Sequence, residues 1–394
     1  MATPTWQLNG IWSFLVELQD DKPARSSFLL ASPIAYFLAH SLERGRLGTP
    51  KIATVLGGKN MPTNEVKAFL NGAFRDVRYQ RSEANDGRTV QRGESTPTAS
   101  NASTDQLGKF VIGRTEFNEP YYILKADLDA CTSATHVRMQ TEFAYDKTVN
   151  SQIKRLHRYL WSGGVTSSPW VTDGSRFDMN DYDRQQASPW GDMLGLQYVV
   201  GTQNNIYGSK DRTTETVLNS FTVAATDTGF SSSTLASLAM IDKINIGYTN
   251  SSSVVKDGMA FRNPNGIGCN LVVCRPDLFH ILRDEAEGFR SVVYSGKDIP
   301  DAPITGYNYP VIQHGRVFIS PDPLAPSGVL VMLSSDNCML ETDPKANMTF
   351  SKPVPKWQYE EGGEKKLWGN SELGLRFLID NPALCGTVTG VTTS

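Results

Sequence analysis

The stretch from Val137 to Gly164, VRMQTEFAYDKTVNSQIKRLHRYLWSGG, constrains this chain more than any other. Tyr145, Val149, Ile153, Leu156 and Leu160 follow one another at steps of four, four, three and four, which stacks apolar side chains along one stripe of a helix. Asp146, Lys147, Lys154, Arg155 and Arg158 take the opposite face. Nothing inside the run breaks a helix, and Gly163-Gly164 closes it with residues able to adopt the left-handed cap conformation. At about 1.5 Å per residue, Val137 to Leu160 spans about 36 Å, comparable to the diameter of a small domain. Periodicity alone describes an ordinary long core helix; what precedes it says more.

A chain of 394 residues has room for two or three domains. With 39% hydrophobic and 20% charged residues, its composition is that of a globular protein, neither disordered nor membrane-spanning. A net charge of -3 supplies no global attraction to nucleic acid or anionic lipid, so only a local basic patch could do so. Met1 to Gly10 lacks a basic segment, and the apolar run Ile11 to Leu18 is interrupted by Ser13 and Glu17, so no signal peptide is expected. The five cysteines, Cys131, Cys269, Cys274, Cys338 and Cys385, are odd in number and lack metal-ligand spacing, which predicts buried free thiols in a reducing cytoplasm.

In chain order, Met1 to Leu30 scatters Trp6, Trp12, Phe14 and Phe28 among charges, which predicts an extended arm whose aromatics need other surface to cover them. Ser32-Pro33 then supplies a helix start, with Ile34, Phe37, Leu38 and Leu42 on one face and Gly45 or Gly48 as the stop. Phe74 to Arg81 and Gly108 to Phe117 read as two strands. Between them, Ala84 to Gln106 has Val90 as its only aliphatic residue larger than alanine. A loop of roughly 20 residues that cannot bury itself belongs to a lid, a binding loop or a disordered linker. Arg75, Arg78, Arg81, Arg88 and Arg92 on this stretch are only partly matched by Glu116 and Glu119 of the return strand. The pattern predicts a long charged two-stranded arm, and such a ribbon, marginal alone in water, needs a neighbour. Pro120 to Leu124 then re-enters the body, and Val165 to Pro189 is loop.

The order of charged hairpin, long helix ending in Gly-Gly, then Gly195-Leu196 leading through Thr202 to Tyr207-Gly208 and Arg212, resembles the major capsid proteins of tailed bacteriophages, which share the HK97 fold. The second half is compatible: Leu235 to Ile246 reads as a helix, Asn270 to Cys274 as a strand, Pro276-Asp277 as the start of a helix reaching Gly288, and Val311-Ile312, Arg316 to Ile319 and Val329 to Leu333 as strands. Leu373 to Ile379 with Pro382 to Gly386 resembles the closing strand of that family's peripheral domain. The resemblance implies an α+β, HK97-like capsid fold with an N-terminal arm over 1–60, an E-loop over 61–125, a peripheral domain carrying the spine helix over 126–215, an axial α/β domain over 216–345, and a return to the peripheral domain over 346–394. It also implies a non-enzymatic subunit that assembles into hexamers and pentamers of an icosahedral head. Contacts between copies would involve Arg75, Arg78, Arg81, Arg88, Arg92, Glu94 and Glu116. Its expected partners are many copies of itself, a portal, scaffolding or decoration proteins, and packaged double-stranded DNA without sequence-specific contact. No membrane partner, cofactor or metal is implied, and the expected location is the virion, assembled in host cytoplasm. Because no long scaffold segment precedes the arm, the resemblance implies a separate scaffolding protein or none.

Chemical motifs are sparse. Asp227-Thr228-Gly229 matches the triplet of aspartic proteases, but one copy would require a homodimer, and Asp-Thr-Gly is also ordinary turn chemistry. Gly57-Gly58-Lys59 resembles the end of a phosphate-binding loop, with Ala53 in place of its first glycine and Asn60 in place of the hydroxyl that would hold magnesium. His40, His136, His157, His280 and His314 are dispersed, and His157 and His280 are expected as surface or partly packed helix residues rather than ligands. The alternatives to a phage head are an encapsulin-like nanocompartment shell and a homodimeric aspartic hydrolase using Asp227.

Overall fold

The computed structural model describes residues 5–21, 34, 40–43, 46–50, 77–80, 107–110, 115–162, 194–200, 206–207, 210–214, 218–228, 234–247, 258–259, 268–288, 292–294, 310–334, 337–356, 366–379 and 382–393. Its elements run α1 (Thr5–Asp21), β1 (His40–Glu43), β2 (Arg46–Pro50), β3 (Val77–Gln80), β4 (Leu107–Phe110), β5 (Thr115–Leu124), α2 (Lys125–Asp129), α3 (Ala134–Ser162), α4 (Leu196–Val200), β6 (Ile206–Tyr207), β7 (Lys210–Asp211) and β8 (Phe221–Ala224). They continue with α5 (Leu238–Ile246), β9 (Leu271–Cys274), α6 (Pro276–Gly288), β10 (Val292–Tyr294), β11 (Val311–His314), β12 (Val317–Pro321), β13 (Val329–Leu333), β14 (Cys338–Phe350), β15 (Val354–Lys356), β16 (Lys366–Ile379) and β17 (Gly386–Thr389).

The spine forms as its spacing predicts, three residues longer at its start. Tyr145, Val149, Ile153, Leu156 and Leu160 are all buried, while Asp146, Lys147 and Lys154 are exposed. One flank of α3 lies on an antiparallel sheet organised by β16, which pairs with β5 along one edge and with β14 and β15 along the other. Phe350 at the end of β14 joins the layers: its ring centroid lies 4.8 Å from Tyr145 on α3 and 5.3 Å from Tyr121 on β5. Burial raises the phenol of Tyr121, and burial with the nearby Asp146 charge pushes that of Tyr145 up to about 12. Both are neutral packing groups, and Tyr121 spends its hydroxyl on the Ser351 carbonyl at 2.5 Å. Gly369 on β16 makes room for this, since a Cβ there would come within 2.5 Å of the Tyr121 ring.

The extended arm expected over Met1 to Leu30 is corrected: Thr5–Asp21 is helical. Its buried stripe is aliphatic, Ile11, Leu15 and Leu18, at steps of four and three, while Trp12 and Phe14 sit half-buried on the flanks. Arg138 of α3 crosses to this helix, 3.5 Å from Glu17 and 5.6 Å above the Phe14 ring. The expected helix through Leu42 is also corrected. Ile34 is helical, but His40–Glu43 is a strand paired with Arg46–Pro50, so Leu42 faces Leu47 across a hairpin.

The second sheet has seven strands in the order β10-β11-β12-β9-β13-β17-β8. The β12-β9 and β17-β8 pairs are parallel and the others antiparallel. Side-chain alternation splits its residues between two cores. Leu271, Val273, Phe318, Val331 and Leu333 share a core with the spine helix and α4. Val272, Cys274, Ile319, Leu330 and Met332 share the other with α5 and α6. Both faces are covered, which is why these strands read as continuous apolar runs. The chain's closing strand β17 belongs here, opposite β13, rather than to the sheet under the spine.

The helix expected over Leu235 to Ile246 begins at Leu238, with Ser237 as its cap. The Ser237 hydroxyl oxygen accepts from the Ala239 N–H at 3.2 Å, and the Glu285 carboxylate of α6 accepts from the Leu238 N–H at 2.8 Å and the Ser237 hydroxyl at 3.1 Å. A carboxylate at a helix N-terminus satisfies an otherwise orphaned amide and complements the dipole. Glu285→Ala is expected to cost about 1–2 kcal/mol, read as a lower urea midpoint.

Candidate functional site

Of the ribbon predicted from composition, the described residues form two short paired strands. β3 pairs antiparallel with β4, Val77 opposite Phe110 and Gln80 opposite Leu107, and this two-stranded sheet joins no other strand among the described residues. Arg78 lies on β3 opposite Lys109. Arg75, Arg81, Arg88, Arg92 and Glu94, with the loop Ala84 to Gln106, lie outside the described residues. Glu116 does not sit on the ribbon. It lies on β5 opposite Gly374 of β16, because the strand expected over Gly108 to Phe117 is two strands, Leu107–Phe110 and Thr115–Leu124, belonging to different sheets. The structure therefore separates Arg78 and Glu116 onto two sheets.

Glu119, further along β5, turns to the spine helix. It accepts the Ser151 hydroxyl at 2.7 Å and lies 3.7 Å from Arg155, whose guanidinium also donates to the Asn118 carbonyl at 3.3 Å. These contacts fix the register of helix on sheet. Of the residues carrying the sequence resemblance, Gly195 opens α4, and its carbonyl accepts the N–H groups of Tyr198 and Val199. Tyr207 on β6 both donates to the Ile379 carbonyl and accepts the Ile379 N–H through its hydroxyl. Arg212 is turned inward at the end of the β6-β7 hairpin, where Asp211 shapes the turn by accepting the Thr213 N–H at 2.8 Å and hydroxyl at 2.7 Å. Those bonds hold the Asp211 carboxyl below its ordinary range. The Arg212 guanidinium donates to the Val199 carbonyl at 2.6 Å and stacks 5.2 Å above the Tyr207 ring; burial lowers it to about 10. The group acts as a buried tie between α4 and the hairpin.

Asp227 lies in the short 3-10 turn Ala225–Thr228. No group of three or more His, Cys, Asp and Glu side chains that could hold a metal occurs among the described residues. No helix among them is long and apolar enough to cross a membrane. Cys269, Cys274, Cys338 and Cys385 are buried free thiols, and burial raises those of Cys269 and Cys274 well above the ordinary range, which suppresses thiolate chemistry. The Gly57-Gly58-Lys59 motif lies outside the described residues.

Sequence reasoning missed one polar feature. His157 is buried, and its Nε2 lies 3.0 Å from Asp322, a fully buried carboxylate just beyond β12. The pair joins spine helix to seven-stranded sheet across 165 residues of sequence. The signal available was a lone histidine on the apolar stripe side of a helix, which carries no indication of a partner so distant.

No protein-family model matches the chain, and no curated protein matches it. Among solved structures it is similar to the capsid asymmetric unit of cyanophage A-1(L), at 10% identity, 81% of this chain, 88% of that chain and a TM-score of 0.47. It is also similar to the capsid of a native GTA particle, at 10% identity, 81% and 85% coverage and a TM-score of 0.40. A third is the SrpI encapsulin complex of Synechococcus elongatus, at 9% identity, 81% and 83% coverage and a TM-score of 0.41.

Proposed function

We propose that this chain is the structural subunit of an icosahedral phage head, self-assembling through hexamers and pentamers into a shell around double-stranded DNA. The observation that carries this reading is the two-stranded ribbon β3-β4, which pairs with no other strand among the described residues and precedes a long helix laid on an independent sheet. A ribbon of this kind is marginal in water and is stabilised by lying on another surface. Copies of the same chain supply that surface at every position of a closed shell. The peripheral layer is the spine helix on the β16 sheet, the axial layer is the seven-stranded sheet, and the ribbon is the E-loop. The charged residues Arg75, Arg78, Arg81, Arg88, Arg92, Glu94 and Glu116 are assigned to contacts between copies. Individually weak rim pairs of this kind accumulate through multivalency when repeated around a shell. The subunit has no enzymatic role, and portal, scaffolding or decoration proteins complete the particle.

The test is expression of the full chain, alone and with candidate scaffolding partners, followed by size-exclusion chromatography and electron microscopy. Closed particles, lost when Ala84 to Gln106 is deleted, are expected. Material that stays monomeric or dimeric under every condition, or particles unaffected by the deletion, overturns the assignment. Nuclease-sensitive contents identify a DNA container; protein cargo would mark an encapsulin-like compartment instead.

A further inference from the structure

Arg212 carries a charge that one copy of the chain leaves unanswered among its described residues. The side chain is buried, with 4% of the residue exposed, and the titratable groups acting on its guanidinium are the phenols of Tyr207 and Tyr198, a group that is uncharged at neutral pH. Asp211, its neighbour in sequence, spends its carboxylate on the Thr213 N–H and hydroxyl. Of the three guanidinium nitrogens, Nη2 donates to the Val199 carbonyl at 2.6 Å, Nε is sealed from solvent without a partner, and Nη1 makes no hydrogen bond among the described residues yet is not sealed. Five N–H groups thus make one hydrogen bond. A cation taken out of water is unfavourable unless an opposite charge meets it, and buried polar groups are almost always bonded. The Tyr207 ring, 5.2 Å away, and the Val199 carbonyl offer partial negative charge only. A water at Nη1 would complete a hydrogen bond and still leave the charge unbalanced.

We propose that Arg212 is the stationary half of an ion pair between copies, and that its Nη1 side receives a carboxylate from a second copy of this chain. The inference rests on the proposed function for its occupant. The argument is charge complementarity with a preset geometry. Nη1 and the second N–H of Nη2 form the end-on fork that a carboxylate accepts with both oxygens. The bond to Val199, the stacking on Tyr207 and the Asn219 amide donated to the Arg212 carbonyl at 3.2 Å already hold the residue in place, so little freedom is lost when the partner arrives. With 41 acidic residues against 38 basic ones, each copy has carboxylates in excess. A free oxyanion has the same chemistry, and the test separates the two sources.

Two variants of the full chain test this. Arg212→Met puts an apolar side chain of similar reach in place of the cation. Urea unfolding of the dispersed chain should give a midpoint equal to or above that of wild type, because an unanswered buried charge has been removed, while the same variant should need at least about tenfold more protein to form particles. A lower midpoint in the dispersed chain, or a variant that does not fold, means that the charge is answered within one copy and overturns the proposal. Arg212→Lys keeps a cation whose amine a carbodiimide joins to an adjacent carboxylate as an amide, the water lost being taken up to form the urea. In particles assembled from unlabelled and heavy-isotope copies, peptide mapping should find cross-links at position 212 that join the two kinds of copy. Cross-links confined to one copy, or none, overturn the proposal. A wild-type midpoint raised by acetate or phosphate at constant ionic strength, unchanged in Arg212→Met and without a cross-link between copies, assigns the site to a free oxyanion and overturns the second copy as its occupant. Particles that Arg212→Met forms at the wild-type protein concentration retire the ion pair alone. A wild-type chain that forms no particles retires the shell, and the cross-link on the concentrated chain then decides the ion pair by itself.

Discussion

Replacing Gly386 by alanine is expected to cost about 3 kcal/mol or more and to lower the urea midpoint without changing the dependence on denaturant. Gly386 opens β17, where it stands opposite Met332 of β13 on one side and beside Phe221 of β8 on the other. A Cβ at this position would overlap the Phe221 carbonyl oxygen and the near edge of its ring. The ring could turn, but the carbonyl cannot, because it belongs to the backbone of a paired strand. Relief requires β8 to separate from β17, which breaks the parallel pairing from Gly386 to Thr389 and the bond from the Phe221 N–H to the Cys385 carbonyl. Gly390→Ala is the control. Its φ of +73° favours glycine, but open space surrounds it, so about 1 kcal/mol of backbone strain is its whole cost. Equal midpoint shifts for the two variants would contradict the crowding argument. A loss of about 3 kcal/mol is a large share of the 5–15 kcal/mol that holds a typical domain.

What could be read from the sequence divides along physical lines. Elements whose burial is set by one periodicity were legible: α3, with its 3.6-residue stripe, and β9, β12 and β13, whose unbroken apolar runs reflect a sheet covered on both faces. The start of α6 at Pro276 was legible because proline fixes the first turn. The ribbon was legible through its composition, but not its end. Glu116 follows Phe110 by only six residues, and the one break signal between them, Gly113, does not say that the chain passes to another sheet. Helix α1 was hidden because its conspicuous residues, Trp12 and Phe14, are flank positions, while its stripe is made of three modest aliphatics. The fate of β17 was hidden for another reason. Gly-Thr-Val-Thr fits any sheet, and its paired residues in β13 and β8 lie 54 or more positions earlier in the chain.

Removing Asp322 is expected to be as damaging as any core truncation. Its carboxylate is fully buried and accepts from the Leu324 N–H at 2.9 Å and from His157 at 3.0 Å, with its own N–H donated to the Cys274 carbonyl. Accepting from His157 requires the imidazole to carry its proton on Nε2, so the buried carboxylate sets the tautomer. Asp322→Ala strands that N–H and the Leu324 amide in a largely buried site, and His157→Ala leaves a buried carboxylate with one donor fewer. Each is expected to cost about 3–5 kcal/mol. Asp322→Asn keeps the shape and an acceptor for Leu324, and its amide can donate to the imidazole in the other tautomer, so its cost is expected nearer 1–2 kcal/mol. The double variant His157→Ala/Asp322→Ala leaves the Leu324 amide without its acceptor but strands neither an imidazole nor a carboxylate, and its destabilisation should fall short of the sum of the single changes by about 1–3 kcal/mol. Urea unfolding of the four proteins measures this directly, and strict additivity would dismiss the pair as a joint. Because one member rides on the spine helix and the other on the seven-stranded sheet, the loss is not confined to one layer. Asp322→Ala should loosen the angle between helix and sheet, and particle yield should fall at protein concentrations where Asp322→Asn still assembles.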